Sequence, residues 1–168
     1  MTNESQFFLD HLGQTSPFPF LIEVERAEGA YIYDKNGKAY LDMIAGVAVN
    51  NIGHRHPKVV AALSAQLEKH LHVMVYGEFI QDAQQALVKE LLAVLPASLD
   101  GVYAVNSGTE AIEAALKLAK RVTGRTELVA FKGSYHGSTH GAMSVSANEI
   151  KKIAFRPLLP DVRFLAHN

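Results

Sequence analysis

The residues of this chain best suited to chemistry are Asn106-Ser107-Gly108-Thr109-Glu110, set between an apolar run at 102–105 and a helix-forming stretch at 109–121. Where a strand turns into a helix, the first N–H groups of the helix lack partners and the positive end of its dipole faces outward, which favours a bound anion. Gly108 adds room for a phosphate to approach the backbone. The same residues also make a plain helix start, with Ser107 or Thr109 as the cap, Glu110 and Glu113 complementing one end of the dipole, and Lys117, Lys120 and Arg121 the other. Neither the lysine of a Walker A loop nor the three spaced glycines of a dinucleotide fingerprint is present. A place at the carboxyl end of a strand, where open α/β sheets bind their ligands, favours the phosphate site.

A second polar run, Gly133-Ser134-Tyr135-His136-Gly137-Ser138-Thr139-His140-Gly141, follows the next predicted strand at 128–131 and so falls at the same sheet edge. An aromatic ring held there can stack on a planar cofactor, with His136 as a hydrogen-bonding neighbour. A surface loop with no ligand has the same composition. The histidine pairs His54/His56, His70/His72 and His136/His140 mimic zinc spacing, but no H-E-x-x-H motif or suitably spaced carboxylate accompanies them, so no metal site is expected. Ser107 and Ser138 lie outside any G-x-S-x-G elbow and are not expected to be nucleophiles.

The surrounding pattern supplies the scaffold. Residues 4–14 predict a short amphipathic helix, and Asn36-Gly37 between 30–35 and 38–42 predicts a hairpin closed by a type I′ turn. Pro57 opens a helix of about four turns carrying Val60, Leu63, Leu67 and Leu71. A further helix spans 80–95 and stops at Pro96. Between these two helices, residues 72–78 carry more apolar surface than a solvent loop needs. The order strand 102–105, helix 109–121, strand 128–131 is a βαβ unit, and a mixed helical stretch at 139–152 leads to a last strand at 162–166, so a mainly parallel α/β sheet is predicted.

The chain of 168 residues has 16 Lys and Arg against 17 Asp and Glu, and 48% of its residues are hydrophobic. Near-neutral charge argues against nucleic acid as a partner. There are no cysteines, which excludes disulfides, thiolate metal sites and a cysteine nucleophile, and fits a cytoplasmic protein. The first twenty residues lack the basic, continuous apolar pattern of a leader, and no stretch approaches a membrane span.

Asn106-Ser107-Gly108-Thr109-Glu110-Ala111, the helix at 113–121 and Tyr135-His136-Gly137 together resemble the class III pyridoxal-phosphate aminotransferases. Tyr33-Asp34 to Gly37, Tyr40-Leu41-Asp42, residues 45–51, Gly53-His54 and His56-Pro57 extend the likeness to nearly everything after about residue 20, with acetylornithine, ornithine and 4-aminobutyrate transaminases the most similar members. The resemblance implies the α/β fold of the fold-type I PLP transferases: residues 1–50 as the amino-terminal hairpin segment of the small domain, and 51–168 as the first, incomplete part of the PLP-binding large domain. It further implies pyridoxal 5'-phosphate as cofactor, with Ser107, Gly108 and Thr109 on the phosphate, Tyr135 stacked on the pyridine ring and His136 beside it. The implied reaction moves an amino group from an amine or amino acid to a 2-oxo acid. A homodimer with interfacial active sites, the partner covering residues 74–79, completes the implied picture.

Two departures shape the expectations. Family members are more than twice as long, and their Schiff-base lysine and the aspartate on the pyridinium nitrogen lie beyond Asn168, so these 168 residues are expected to be an amino-terminal part that is catalytically silent by itself. The alternative from another class is a non-catalytic remnant serving as a dimerisation or phosphate-binding module. The second departure is at position 138. The relatives usually continue Tyr-His-Gly with Arg-Thr, whereas this chain has Ser138-Thr139, and serine cannot make the bidentate contact of arginine with a carboxylate.

Overall fold

A computed structural model describes residues 2–74 and 77–167, which form two compact units, Met1–Ile80 and Gln81–Asn168. In the first, α1 (Asn3–His11) begins at Thr2, whose hydroxyl accepts the Ser5 N–H at 3.1 Å. Strands β1 (Val24–Glu28), β2 (Tyr31–Asp34) and β3 (Ala39–Leu41) follow as an antiparallel sheet in that order. The hairpin stands where the sequence puts it, but β1 has no counterpart in the sequence reading. Its Val-Glu-Arg-Ala-Glu composition is that of a polar edge, and pairing with β2, not burial, makes it a strand.

The hairpin turn is not type I′. Only Gly37 takes a positive φ (80°), and the loop has three residues, with Asp34 and Lys38 paired through the Asp34 N–H and Lys38 carbonyl at 3.1 Å. The cause is the Asp34 carboxylate, whose Oδ1 accepts the N–H groups of Asn36 (2.9 Å) and Lys38 (3.0 Å). An Asx turn of this kind draws the chain into a turn followed by a left-handed glycine.

Asp42 organises the next stretch. Its Oδ1 accepts from Ile44 and Ala45 N–H at 3.1 and 2.8 Å, starting the short turn α2 (Ala45–Ala48). Its Oδ2 lies 2.7 Å from His54 Nε2, which must carry the hydrogen because an ionised carboxylate can only accept. His54 in turn bridges main chain to main chain with Gly29, N–H to carbonyl in both directions at 2.7 and 3.1 Å. Gly53, at φ 84°, has its missing Cβ only 3.0 Å from the Gly29 oxygen, so this approach requires glycine. Helix α3 (Pro57–Leu67) opens on Pro57 as expected but ends before Leu71, because Gln66 closes it: its carbonyl accepts Lys69 and His70 N–H, and its side chain donates to the His70 carbonyl. Of the apolar connector at 72–78, Val75 and Tyr76 lie outside the described residues.

In the second unit, α4 (Asp82–Val94) stops two residues before Pro96. Helix α5 (Gly108–Thr123) runs from the Ser107 cap to Gly124, left-handed at φ 67°, with Lys120 and Arg121 in its last turn. Strand β4 (Leu128–Phe131) pairs in parallel with β5 (Val162–Leu165), and α6 (His140–Val145) and α7 (Glu149–Lys152) lie between them in sequence. Leu128, Ala130 and Val145 form the core, against which Ile112 and Leu116 of α5 and Val162 and Phe164 of β5 pack. The alternation along β4 is that of a sheet buried on this face, with Leu128 and Ala130 inward and Val129 and Phe131 exposed. The predicted strand at 102–105 does not form: these residues have no ladder partner among the described residues, and a strand exists only through its pairing.

The Ala45 N–H, the His54 ring and the Ile44 N–H together hold the Asp42 carboxyl below the usual carboxylate range, against the opposing effect of burial. A carboxylate with a depressed folded-state pKa contributes stability above its unfolded pKa and loses it as pH falls through the folded value. Acidification below the ordinary aspartate range should therefore loosen residues 29–54, read as faster amide exchange at Gly29 and His54, and Asp42→Asn should be loose at neutral pH and nearly insensitive to acid. Equal acid sensitivity in the variant would remove Asp42 from this role.

Candidate functional site

The first turn of α5 is built by reciprocal capping. Ser107, in extended conformation, accepts the Glu110 N–H on its hydroxyl at 3.2 Å, and the Glu110 carboxylate reaches back to the Asn106 N–H at 2.7 Å. With those two donors satisfied, the main-chain N–H groups of Gly108 and Thr109 have no acceptor among the described residues. A Cβ built on Gly108 meets nothing within 4 Å, so the space beside it is open and the glycine is not demanded by packing.

The loop after β4 comes to this turn. Gly137, buried and at φ 135°, lies so close to Thr109 that a Cβ on it would sit 2.2 Å from Thr109 Oγ1 and 3.0 Å from Thr109 Cα. No side chain fits between them. Thr139 adds the polar half of the contact, with its hydroxyl 2.8 Å from that of Thr109 and its N–H donating to Thr109 Oγ1 at 3.4 Å. The structure thus brings Ser107, Gly108 and Thr109 together with the Tyr135-His136-Gly137 loop.

Within the loop, Tyr135 is 71% exposed and its hydroxyl lies 3.1 Å from Ser138 Oγ. His136 is half-buried and anchored by its backbone, the N–H donating to Ser146 Oγ at 2.9 Å. Ser146 is buried and donates to the Ala142 carbonyl at 2.9 Å, while the Ser134 carbonyl accepts the Ala147 N–H at 2.9 Å. The loop is therefore laced to the residues just after α6 on both sides of Tyr135.

Glu113 is the residue the sequence reading undervalued. As one more acid on α5 it complements a dipole; in the structure its carboxylate leaves α5 and caps α6, accepting the Thr139 hydroxyl and, at 3.0 Å, the Ala142 N–H. The Thr139 hydrogen bond, more than the opposing burial, holds its carboxyl below the usual range, and the Ala142 and Gly141 N–H groups and Lys117 add to it. A side chain on Gly141 would overlap this carboxylate, with its Cβ 2.2 Å from Oε2. The available signal was a threonine and a glycine flanking His140 with no local acid to cap the helix they begin. Of the other residues weighed, His54 is engaged with Asp42, and Asn50 lies 3.5 Å from its other ring nitrogen.

An α/β protein in which the glycine-rich loop after one strand is seated on a helix start with unpaired N–H groups is the class that fold and site define. The chain belongs to the class III aminotransferases: the family's sequence profile, aminotransferase class-III, matches residues 13–168. It is 43% identical over 147 residues to the acetylornithine aminotransferase of Archaeoglobus fulgidus, covering 88% of this chain and 38% of that protein. A LysW-aminoadipate semialdehyde/glutamate semialdehyde transaminase of Sulfurisphaera tokodaii is 39% identical with the same coverage. Among solved structures, adenosylmethionine-8-amino-7-oxononanoate aminotransferase of Methanocaldococcus jannaschii superposes with a TM-score of 0.90 at 28% identity, over 98% of this chain and 40% of that one. Taurine:2-oxoglutarate aminotransferase of Bifidobacterium kashiwanohense, in complex with PLP and glutamate, gives 0.85 at 25% identity over 100% and 39%. The chain thus spans about two fifths of the length of these four proteins, and its fold is that of the fold-type I transferases.

Gly137→Ala tests the convergence of the two loops. Overlap with Thr109 and a φ unsuited to L-residues should destabilise the second unit by about 1–3 kcal/mol and raise proteolysis within 133–141. Unchanged thermal stability and cleavage would show that the loop does not sit on α5.

Proposed function

We propose that the protein built on this chain is a pyridoxal 5'-phosphate-dependent transaminase, moving an amino group from an amine or amino acid, of the acetylornithine, ornithine or 4-aminobutyrate type, to a 2-oxo acid. The observation that carries the reading is the seating of Gly137 on Thr109, which brings the loop that carries the exposed Tyr135 to the helix start. The residues fit a phosphorylated aromatic. Gly108 and Thr109 N–H, with the α5 dipole behind them, and the Ser107 hydroxyl, which accepts the Glu110 N–H and still has its own hydrogen to give, would hold the phosphate; Tyr135 would stack on the ring; and His136 would stand next to it. Bound there, pyridoxal phosphate supplies an electron sink for reaction at the amino-bearing carbon. Turnover is expected of a protein of the relatives' length, not of residues 1–168 by themselves.

The same reading extends to organisation. Residues 1–50 would belong to the small domain and 51–168 to the large one, and a groove of about 700 Å³ lined by Phe8, Phe20, Ile22, Ile32 and Tyr40 offers the first segment an apolar face for further packing. Exposed Met43, Val47, Val49 and Ile52, and Leu63, Leu67 and Leu71 further on, support a homodimer formed through this region in a cytoplasmic enzyme. Among the described residues no helix is long and apolar enough to cross a membrane.

Gly108→Val is the direct test of the cradle. The open space and ordinary backbone at Gly108 predict a folded variant whose affinity for inorganic phosphate and pyridoxine 5'-phosphate falls about tenfold, or ~1.4 kcal/mol, as the β-branched side chain blocks the N–H groups. Unchanged affinity for both would place the anion elsewhere.

Substrate choice is tested at Ser138, whose hydroxyl is engaged with Tyr135 and carries no charge for a carboxylate. Ser138→Arg should raise kcat/KM toward acetylornithine or 4-aminobutyrate by at least about tenfold if a charge-assisted contact is gained. No gain, with wild type already efficient on acetylornithine, would show that position 138 does not set the donor.

A further inference from the structure

The carboxylate of Glu113 fixes where the hydroxyl hydrogens of its neighbours lie. An ionised carboxylate only accepts, so Thr139 donates its O–H to Glu113. The Thr139 oxygen has then no hydrogen left for the 2.8 Å contact with Thr109, which must be filled by the Thr109 O–H donating to Thr139. Thr109 Oγ1 accepts the Thr139 N–H in return. The hydrogens run in one direction, from Thr109 through Thr139 to Glu113, and the hydroxyl hydrogen of Thr109 is committed inside the protein.

We propose that Glu113 is a positioning residue of the site: through Thr139 it seats the Tyr135 loop on the first turn of α5 and commits the Thr109 hydroxyl, so that Thr109 offers an anion its main-chain N–H and not its side chain, beside the Gly108 N–H and the Ser107 hydroxyl. The proposal rests on the phosphate-site reading given above and goes further, because it divides the labour. The helix start holds the anion whether or not the loop is seated, whereas the aromatic contact depends on Glu113. Geometry supports the division. Glu113 joins three separate pieces, its own helix, the Thr139 hydroxyl and the α6 N–H at Ala142, and Gly141 has no side chain where that carboxylate lies. The Thr139 hydroxyl and the Ala142 and Gly141 N–H groups hold the Glu113 carboxyl below its ordinary range, which favours the ionised, accepting form.

The test compares Glu113→Gln, Thr139→Val and Thr139→Ser in the intact protein, using amide hydrogen exchange without ligand and binding of two probes, inorganic phosphate and pyridoxine 5'-phosphate. Glu113→Gln and Thr139→Val should speed exchange across residues 134–138 by about tenfold while α4 stays protected, and should weaken pyridoxine 5'-phosphate about tenfold with phosphate within about twofold. Thr139→Ser, which restores the hydroxyl, should restore both readouts. Exchange that rises only at Gly141 and Ala142, or uniformly over the molecule, or an equal loss for both probes that serine does not rescue, would overturn the proposal. Should Glu113→Gln fail to fold, the two Thr139 variants decide the matter. Wild-type protein that binds neither probe would instead sink the phosphate-site reading, with the exchange experiment still deciding whether Glu113 seats the loop.

Discussion

The candidate site depends on a contact that contains no side chain. Gly137 lies against Thr109 at a distance no other residue permits, and this approach turns two loops that follow different elements into one site. Close packing of this kind has no intermediate setting: either the hydrogen stands where the Cβ would be, or the loop moves away. Glu113 and Thr139 then supply what packing alone does not, a direction, since a carboxylate and two hydroxyls in series admit one order of hydrogens. Both devices act on the first turns of α5, and together they fix the Tyr135 loop on that helix start.

Much of this was legible in the sequence, for identifiable reasons. The α5 start is encoded locally by Ser107 and Glu110, three residues apart, and the Asn36-Gly37 hairpin by residues adjacent to each other. The turn type at that hairpin was misjudged because Asp34, two residues upstream of Asn36, outcompetes the intrinsic preference of Asn-Gly by accepting two backbone hydrogen bonds. Residues 102–105 have the composition of a strand but no partner among the described residues, and pairing is a property of the sheet, not of the segment. The Glu113 cap was hidden because its partners lie 26 and 29 residues away, beyond any periodicity that a helix can announce.

The amino-terminal unit shows the same physical theme with different residues. Asp42 is to the segment 44–54 what Glu113 is to the Tyr135 loop: one carboxylate that caps backbone N–H groups and grips a distant side chain, Asp42 with its two oxygens divided between the tasks and Glu113 with Oε1 serving both. In both places a glycine opposite, Gly53 against Gly29 and Gly137 against Thr109, makes the close approach possible. A class III aminotransferase chain thus uses a carboxylate and a glycine as a paired device for holding irregular backbone, where neither helix nor sheet ladders can satisfy the polar groups.

The most direct measurement is a crystal structure of the intact protein with pyridoxine 5'-phosphate. Phosphate oxygens within about 2.7–3.2 Å of the Gly108 and Thr109 main-chain nitrogens, with the pyridine ring against Tyr135 and the Thr109 hydroxyl still on Thr139, is the predicted result. A phosphate bound away from the α5 start, or one held by the Thr109 hydroxyl with the Thr139 contact broken, would contradict it.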